Sequence, residues 1–373
     1  MRWQLFHLTA MGGAHRQRQL PCQDCALSAQ GDEGTRIIMV ADGHGSRRHF
    51  RSERGAAFAC EVAMAELQQL LDALPEGGIP SEEDFTALKE RILAGWQARV
   101  LQDAAAEPWS EAELAEAETR MTAEDFAQLL QGEQSIIPYG STLVAAFATD
   151  TFWAGIQIGD GMLVTVDDQG RYLWPMPESR VNEGNRTASL CMRSPMPEFR
   201  HCMGTEPLTG LIVCTDGVEK AFPPMGDKVV SFLHWLWQAA REEPETAGQL
   251  LAAAAERTAL HSAVRDDVGI ALMADADAPD ALPCPTEQQQ ALARQQADAQ
   301  LQAQQDMIQY TTDQLANAVS PEEAEELRQV LARQRSGLAA LQAARADASV
   351  PPEEKKSGPL ARIRGILTPK GRE

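Results

Sequence analysis

The chain has 373 residues, 44% of them hydrophobic, with 54 acidic against 33 basic residues and a formal net charge of −21. That length supports a sizeable core, in one large domain with an appendage or in two or three units, and the acidic balance argues against a nucleic-acid binder, which needs Lys and Arg to neutralise phosphates. Seven scattered cysteines make no disulfide framework, the opening MRWQLFHLTAMGGAHRQRQ lacks the basic-then-apolar order of a signal peptide, and no run approaches the roughly 18 apolar residues of a membrane span, so a cytoplasmic protein is expected.

Residues 35–41 (TRIIMVA) form a short β-branched run closed by Asp42-Gly43, which predicts a buried strand. Apolar residues at helical spacing over 52–71 (Phe58, Val62, Ala65, Leu67, Leu70, Leu71) predict that a helix follows. Residues 80–134 are rich in Ala, Glu and Leu and open on Ser81 followed by Glu82, Glu83 and Asp84, a cap with an acidic first turn. Two or three helices are expected there. Between 141 and 170, three apolar segments separated by Asp150 and by Gly159-Asp160-Gly161 predict three antiparallel strands joined by tight turns.

The stretch 171–209, with many Pro and Gly residues, reads as loops with short strands, and 211–215 as a strand broken by Asp216-Gly217. Residues 229–259 read as helical, carrying Trp235 and Trp237, and 268–273 as a final strand. Residues 279–285 mark a linker. Beyond it, 286–350 have helix-forming composition interrupted around Ser320-Pro321-Glu322-Glu323, a capping signature that predicts a helical hairpin or coiled-coil-like extension. The basic end, residues 351–373, reads as a flexible tail.

Four acidic sites share one design, an apolar strand beside an Asp, in three cases followed by Gly: Asp42 in VADGHG, Asp160 in IGDG, Asp216 in CTDG, and Asp266-Asp267 in RDDVG. A single Asp-Gly turn means only a hairpin, because Asp bonds its own backbone and Gly accepts φ > 0. Several such tips converging on one edge of a core would repel unless a cation neutralised them. An all-oxygen cage suits Mg²⁺ or Mn²⁺, whereas zinc would want His and Cys.

Taken in order, Cys22-Gln23-Asp24, VADGHG, Gly140-Ser141-Thr142, IGDG, CTDG and Arg265-Asp266-Asp267 make residues 3–274 resemble the metal-dependent type 2C serine/threonine protein phosphatases, in their bacterial branch. The resemblance implies an α+β fold: two antiparallel β-sheets packed as a central sandwich flanked by α-helices. The catalytic domain would span 1–278, with a helical insertion at about 80–134 and the metal site at one end of the sandwich. Two Mg²⁺ or Mn²⁺ ions would be bridged by Asp42, one completed by the Gly43 carbonyl and the other by Asp216 and Asp266. Asp24 would support the metal waters, and Asp160 matches a residue that holds a third ion in some members.

The same resemblance implies an enzyme that hydrolyses phosphoserine and phosphothreonine by direct attack of a metal-activated water, with His44 protonating the departing oxygen because imidazole titrates near neutrality. Its partners would be phosphorylated proteins and a cognate kinase or signalling protein. The chain departs from the family where Gln23 replaces the first of two adjacent acids and Asp267 a frequent Asn; both are read as support for the metal site. Gly161 and Met162 replace the usual Ser and Arg. The arginine that grips phosphate has no match, since Gln19 falls at its spacing, and Arg18 or His15 is expected to substitute.

The alternative is a catalytically weak or inactive scaffold that binds phosphoproteins or partners through its C-terminal helices, opposed by the presence of Asp42, Asp216 and Asp266. Cys22 and Cys25 have C-x-x-C spacing, yet no second pair or redox-fold pattern surrounds them. The C-terminal helices, poor in large apolar residues, suggest a partner surface or self-association.

Overall fold

Strand β3 (Arg36–Asp42) is apolar from Ile37 to Ala41 and buried at every one of those positions. Successive side chains of a strand point to opposite faces, so such a strand must be covered on both sides. Ile37, Met39 and Ala41 join Phe58, Leu67, Phe85 and Trp96 of helices α2 (Ser52–Ala73) and α3 (Glu82–Ala106). Ile38 and Val40 face the other way and pack with Val144, Leu211, Val213, Ala271 and Met273 between two sheets.

The structure is a computed structural model that describes residues 2–31, 34–130, 136–177, 179, 187–222, 227–262 and 264–278, with helical positions at 308, 309, 311, 312, 315, 327–332, 334, 335 and 338. One five-stranded sheet runs β2 (Asp24–Gln30), β3, β4 (Leu143–Ala148), β5 (Trp153–Ile158), β8 (Arg200–Gly204). The other runs β1 (Trp3–Ala10), β10 (Val268–Asp275), β9 (Leu208–Cys214), β6 (Met162–Asp167), β7 (Tyr172–Leu173). All pairings are antiparallel. Helix α8 (Pro244–His261) packs on β1 and β10, and Trp237 of α7 (Asp227–Ala239) donates its indole N–H to the Thr209 carbonyl at 2.9 Å. This is the expected sandwich of two antiparallel sheets with helices on the outer faces.

The three strands expected between 141 and 170 exist but do not form one sheet. β4 and β5 pair from Leu143↔Ile158 to Ala148↔Trp153, whereas β6 leaves them to pair with β9 in the opposite sheet. The corner between is built from Gly159, whose φ of +111° no side chain tolerates well, and is pinned by Gln157 Nε2 donating to the carbonyls of Gly159 (3.1 Å) and Gly161 (2.6 Å). The Gly-Asp-Gly tip is therefore a crossing between sheets, which carries Asp160 to their common end.

The segment 80–134 holds three helices, α3, α4 (Glu111–Arg120) and α5 (Ala123–Leu130). Capping boxes at Ser81 with Asp84 and at Ser110 with Glu113 start the first two. The helical stretch expected over 229–259 is divided, because Pro244 lacks an N–H and opens a new helix. Two short helices were not anticipated, α1 (Gly13–Arg18) and α6 (Asp216–Lys220). Backbone contacts divide the chain into one unit of Met1–Pro223 with Ser231–Leu282 and another of Pro224–Val230 with Pro283–Glu373. The linker at 279–285, the interruption near Ser320 and the basic tail lie outside the described residues. No helix among the described residues is long and apolar enough to cross a membrane.

Candidate active site

The site is assembled by four strand ends and a sheet crossing. β3 ends on Asp42, and in register opposite it stands Asp24, the first residue of β2. Two carboxylates facing each other across a ladder repel, so this pairing is retained against its own electrostatics. The Gly140-Ser141-Thr142 segment holds the other side of the loop. Thr142 Oγ1 accepts the Asp42 N–H at 3.0 Å, the Thr142 N–H returns to the Asp42 carbonyl at 2.9 Å, and His44 N–H reaches the Gly140 carbonyl at 3.0 Å. Gly43 donates its N–H to the Gln23 carbonyl, and a Cβ there would lie 2.6 Å from the Ser52 carbonyl oxygen and 2.7 Å from that of Gln23. Only glycine fits between those two backbones.

Asp216 is the first residue of α6, directly after β9, and is only 7% exposed. The preceding Thr215 donates its hydroxyl to Asp24 Oδ2 at 2.7 Å and accepts the Gly269 N–H at 2.8 Å, tying β9, β10 and β2 together beneath the site. Asp266 and Asp267 precede β10, following Arg265 in the left-handed region at φ 55°. Asp160 accepts the Thr187 hydroxyl at 2.7 Å. Asp24, Asp42, Asp160, Asp216 and Asp266 line one cavity of about 240 Å³, together with Gly43, His44, His15, Gln23, Asp267, Thr187 and Lys220.

The neighbouring acids Asp266 and Asp267 have different fates. Asp267 accepts three short bonds, from Gly12 N–H (2.6 Å), Gln23 N–H (2.6 Å) and His15 Nδ1 (2.7 Å). Burial works to raise its pKa, and those donors more than reverse it, leaving the carboxyl below its ordinary range. His15 is raised in turn, chiefly by its hydrogen bond to Asp267. Asp267 thus organises the segment 12–23 around the cavity. Asp266 instead accepts Lys220 Nζ at 3.1 Å, and the same ammonium lies 2.5 Å from Asp216 Oδ2. Burial alone would lower Lys220's pKa; the two carboxylates reverse that and keep it charged.

Asp24 and Asp42 are pushed well above the ordinary carboxylate range, first by burial and then by the charges of their neighbours. Asp216 is raised by burial and by Asp160, against Lys220. Such a set ionises together only beside positive charge. His44 is held neutral, its pKa pushed down to about 4 by burial although Asp160 opposes this. Its ring centroid stands 4.8 Å from that of His49, which Ser46 Oγ and Arg48 Nε orient at 3.0 and 3.2 Å. His49 is itself pushed down to about 2 by burial.

A hard divalent cation fits this donor set. The oxygens are carboxylates on one cavity, and two buried acceptors there, Asp216 Oδ1 and Gln23 Oε1, have no hydrogen-bond partner. As arranged, no group of three His, Cys, Asp or Glu side chains among the described residues is close enough to enclose an ion. Threonine hydroxyls engage Asp24 and Asp160, and the Lys220 ammonium lies across Asp216 and Asp266.

Arg18 was expected to stand in for the phosphate-gripping arginine. It is the last residue of the six-residue helix α1, is exposed, and is not part of the cavity wall, because Gln19 turns left-handed (φ 57°) and ends the helix there. Of the two proposed substitutes for a phosphate-gripping arginine, only His15 lines the cavity. Sequence reasoning missed Lys220, Thr215, Thr187 and His49. Lys220 was detectable as the i+4 neighbour of Asp216, had Asp216 been read as starting a helix. Cys22 and Cys25 are both free thiols.

The family model described as Protein phosphatase 2C matches residues 11–256, more than half of the chain. Among curated proteins, none matches. Solved structures with a similar course include the serine/threonine phosphatase Stp1 from Staphylococcus aureus (13% identity, 74% of this chain and 96% of that one, TM-score 0.44). They also include PppA, described as a key regulatory component of T6SS in Pseudomonas aeruginosa (15%, 74% and 98%, 0.43), and the catalytic domain of the phosphatase PstP in complex with two manganese ions (15%, 73% and 97%, 0.43). By the extent of the family match, the chain belongs to the protein phosphatase 2C family.

Proposed function

We propose that this protein phosphatase 2C family member is a divalent-cation-dependent phosphatase that hydrolyses phosphoserine and phosphothreonine in proteins. The observation that carries the reading is the convergence of Asp24, Asp42, Asp160, Asp216 and Asp266 on one cavity beside two histidines. Asp42, Asp216 and Asp266 would hold Mg²⁺ or Mn²⁺, helped by the Gly43 carbonyl and by Gln23 Oε1. Divalent ions bound there would acidify a water molecule and offset negative charge on the phosphoryl oxygens.

The chain's own groups do the rest. Asp267 fixes the His15 ring through Nδ1, leaving Nε2 as the donor with which a cationic imidazole can orient a phosphoryl oxygen. His44 would supply the proton for the leaving seryl or threonyl oxygen: the negative charge of a bound phosphate favours the imidazolium, so the ring takes up a proton from water when substrate binds and passes it to the departing oxygen. A cysteine nucleophile is disfavoured. Cys22, next to this wall, is pushed up to about 12, chiefly by burial, and carries no thiolate at neutral pH.

The test is release of inorganic phosphate from a phosphothreonine peptide by the full-length protein. Release that requires Mn²⁺ or Mg²⁺ and stops on chelation is the expected result. No release with either metal would contradict the reading.

A further inference from the structure

Lys220 closes the five-residue helix that Asp216 opens, and its Nζ lies 2.5 Å from Asp216 Oδ2 and 3.1 Å from Asp266 Oδ2. It is the cation these two acids have in this structure. Asp216 is 10% exposed at its side chain and Asp266 34%, so their mutual repulsion is poorly screened by water and a positive charge between them is strongly favoured. The second oxygen of Asp216 is buried without a partner. The ammonium satisfies one oxygen of that carboxylate and leaves the other without a partner.

We propose that Lys220 is a built-in counter-ion that competes with the divalent cation for Asp216 and Asp266. The inference rests on the functional reading above, because it assumes that a divalent ion uses those two carboxylates. A doubly charged ion and an ammonium cannot share these oxygens at such distances without strong repulsion. Cation binding therefore requires Lys220 to withdraw, and its 44% exposed side chain gives it a path into water. Because the ammonium stabilises the metal-free state, it weakens the apparent affinity for the divalent ion by the free energy of the contacts that must break. The gain is a folded, charge-balanced protein when divalent cation is scarce. The site then fills in response to cation concentration.

The test compares wild type, Lys220→Met and Lys220→Arg by calorimetric titration of the chelated full-length protein with Mn²⁺, and by thermal melts in chelator and in excess Mn²⁺. Removing the ammonium should tighten Mn²⁺ binding about tenfold, which corresponds to about 1.4 kcal/mol. It should lower the melting temperature in chelator and leave it equal or higher in Mn²⁺, while Lys220→Arg keeps the wild-type order. A Lys220→Met protein unfolded in chelator but folded in Mn²⁺ supports the same conclusion. Equal or weaker Mn²⁺ binding by Lys220→Met would overturn it and leave the functional reading standing, as would a variant unfolded in both conditions, which would need the ammonium even when loaded. Absence of Mn²⁺ binding in all three proteins would overturn the functional reading and this inference together.

Discussion

Gly43 stands where two backbones approach a third, and the cost of a single methyl group there follows from the distances. A Cβ would meet the Ser52 and Gln23 carbonyl oxygens at 2.6 and 2.7 Å, and neither is a side chain that can swing away. Gly43→Ala should therefore lower unfolding stability by about 2 kcal/mol, the usual scale for forced overpacking, as measured by urea denaturation; an unchanged midpoint would contradict this close packing. At the same scale, environment separates residues that the sequence presents as equals. Asp266 and Asp267 are adjacent acids, yet one takes three donors from the segment 12–23 and the other takes an ammonium. Spacing alone carries no information about which of the two would face a metal.

Elements were legible in proportion to how completely the fold covers them. β3, β4, β9 and β10 are buried along their length and read as apolar runs, while the edge strands β1 and β2 are half-exposed, mix polar with apolar residues and gave no period to detect. β6 was recognised as a strand but was expected as the third strand of a run with β4 and β5, since nothing in a local sequence states which sheet a strand will join. The Asp tips were legible because an Asp beside an apolar run, three times followed by Gly, recurs in four ordered places; the five-residue α6 was too short to show periodicity, and Lys220 stayed hidden with it. Between elements, Arg51 joins the start of α2 to the helical insertion. It donates to both Glu113 oxygens at 2.8 and 3.2 Å and to the Glu107 carbonyl at 2.7 Å, and its guanidinium lies 4.4 Å from the Trp109 ring.

That clamp has a pH signature. Burial alone would raise the Glu113 pKa, but Arg51 and the Ser110 cap bring it down to about 2, against an ordinary value of 4.5. A depressed carboxyl contributes stability that is present above 4.5 and is lost as pH falls toward 2. Arg51→Met should cost about 2 kcal/mol at pH 7, where the half-buried Glu113 loses its charged hydrogen bonds, and the gap to wild type should shrink as pH falls through that window. Urea titrations at several pH values measure this, and a gap independent of pH would place the stabilisation in packing on Trp109 and not in the ion pair.

At the scale of the molecule, the net charge of −21 and the cavity express one tendency in two places. Surface acids are solvated and cost little, whereas five buried or half-buried carboxylates drawn from both sheets to one end of the sandwich are costly unless a cation accompanies them. The two-sheet architecture makes that convergence: β3 and β2 deliver Asp42 and Asp24 from one sheet, β9 and β10 deliver Asp216 and Asp266 from the other, and the crossing at Gly159 brings Asp160 between them. Asp42 is the group on which the functional account depends most. The most direct measurement is the rate of aryl phosphate hydrolysis in saturating Mn²⁺ by wild type and by a folded Asp42→Ala variant. The account predicts a loss of about 10³-fold, the scale on which removing a group that supports transition-state charge lowers rates; equal rates in the two proteins would contradict it.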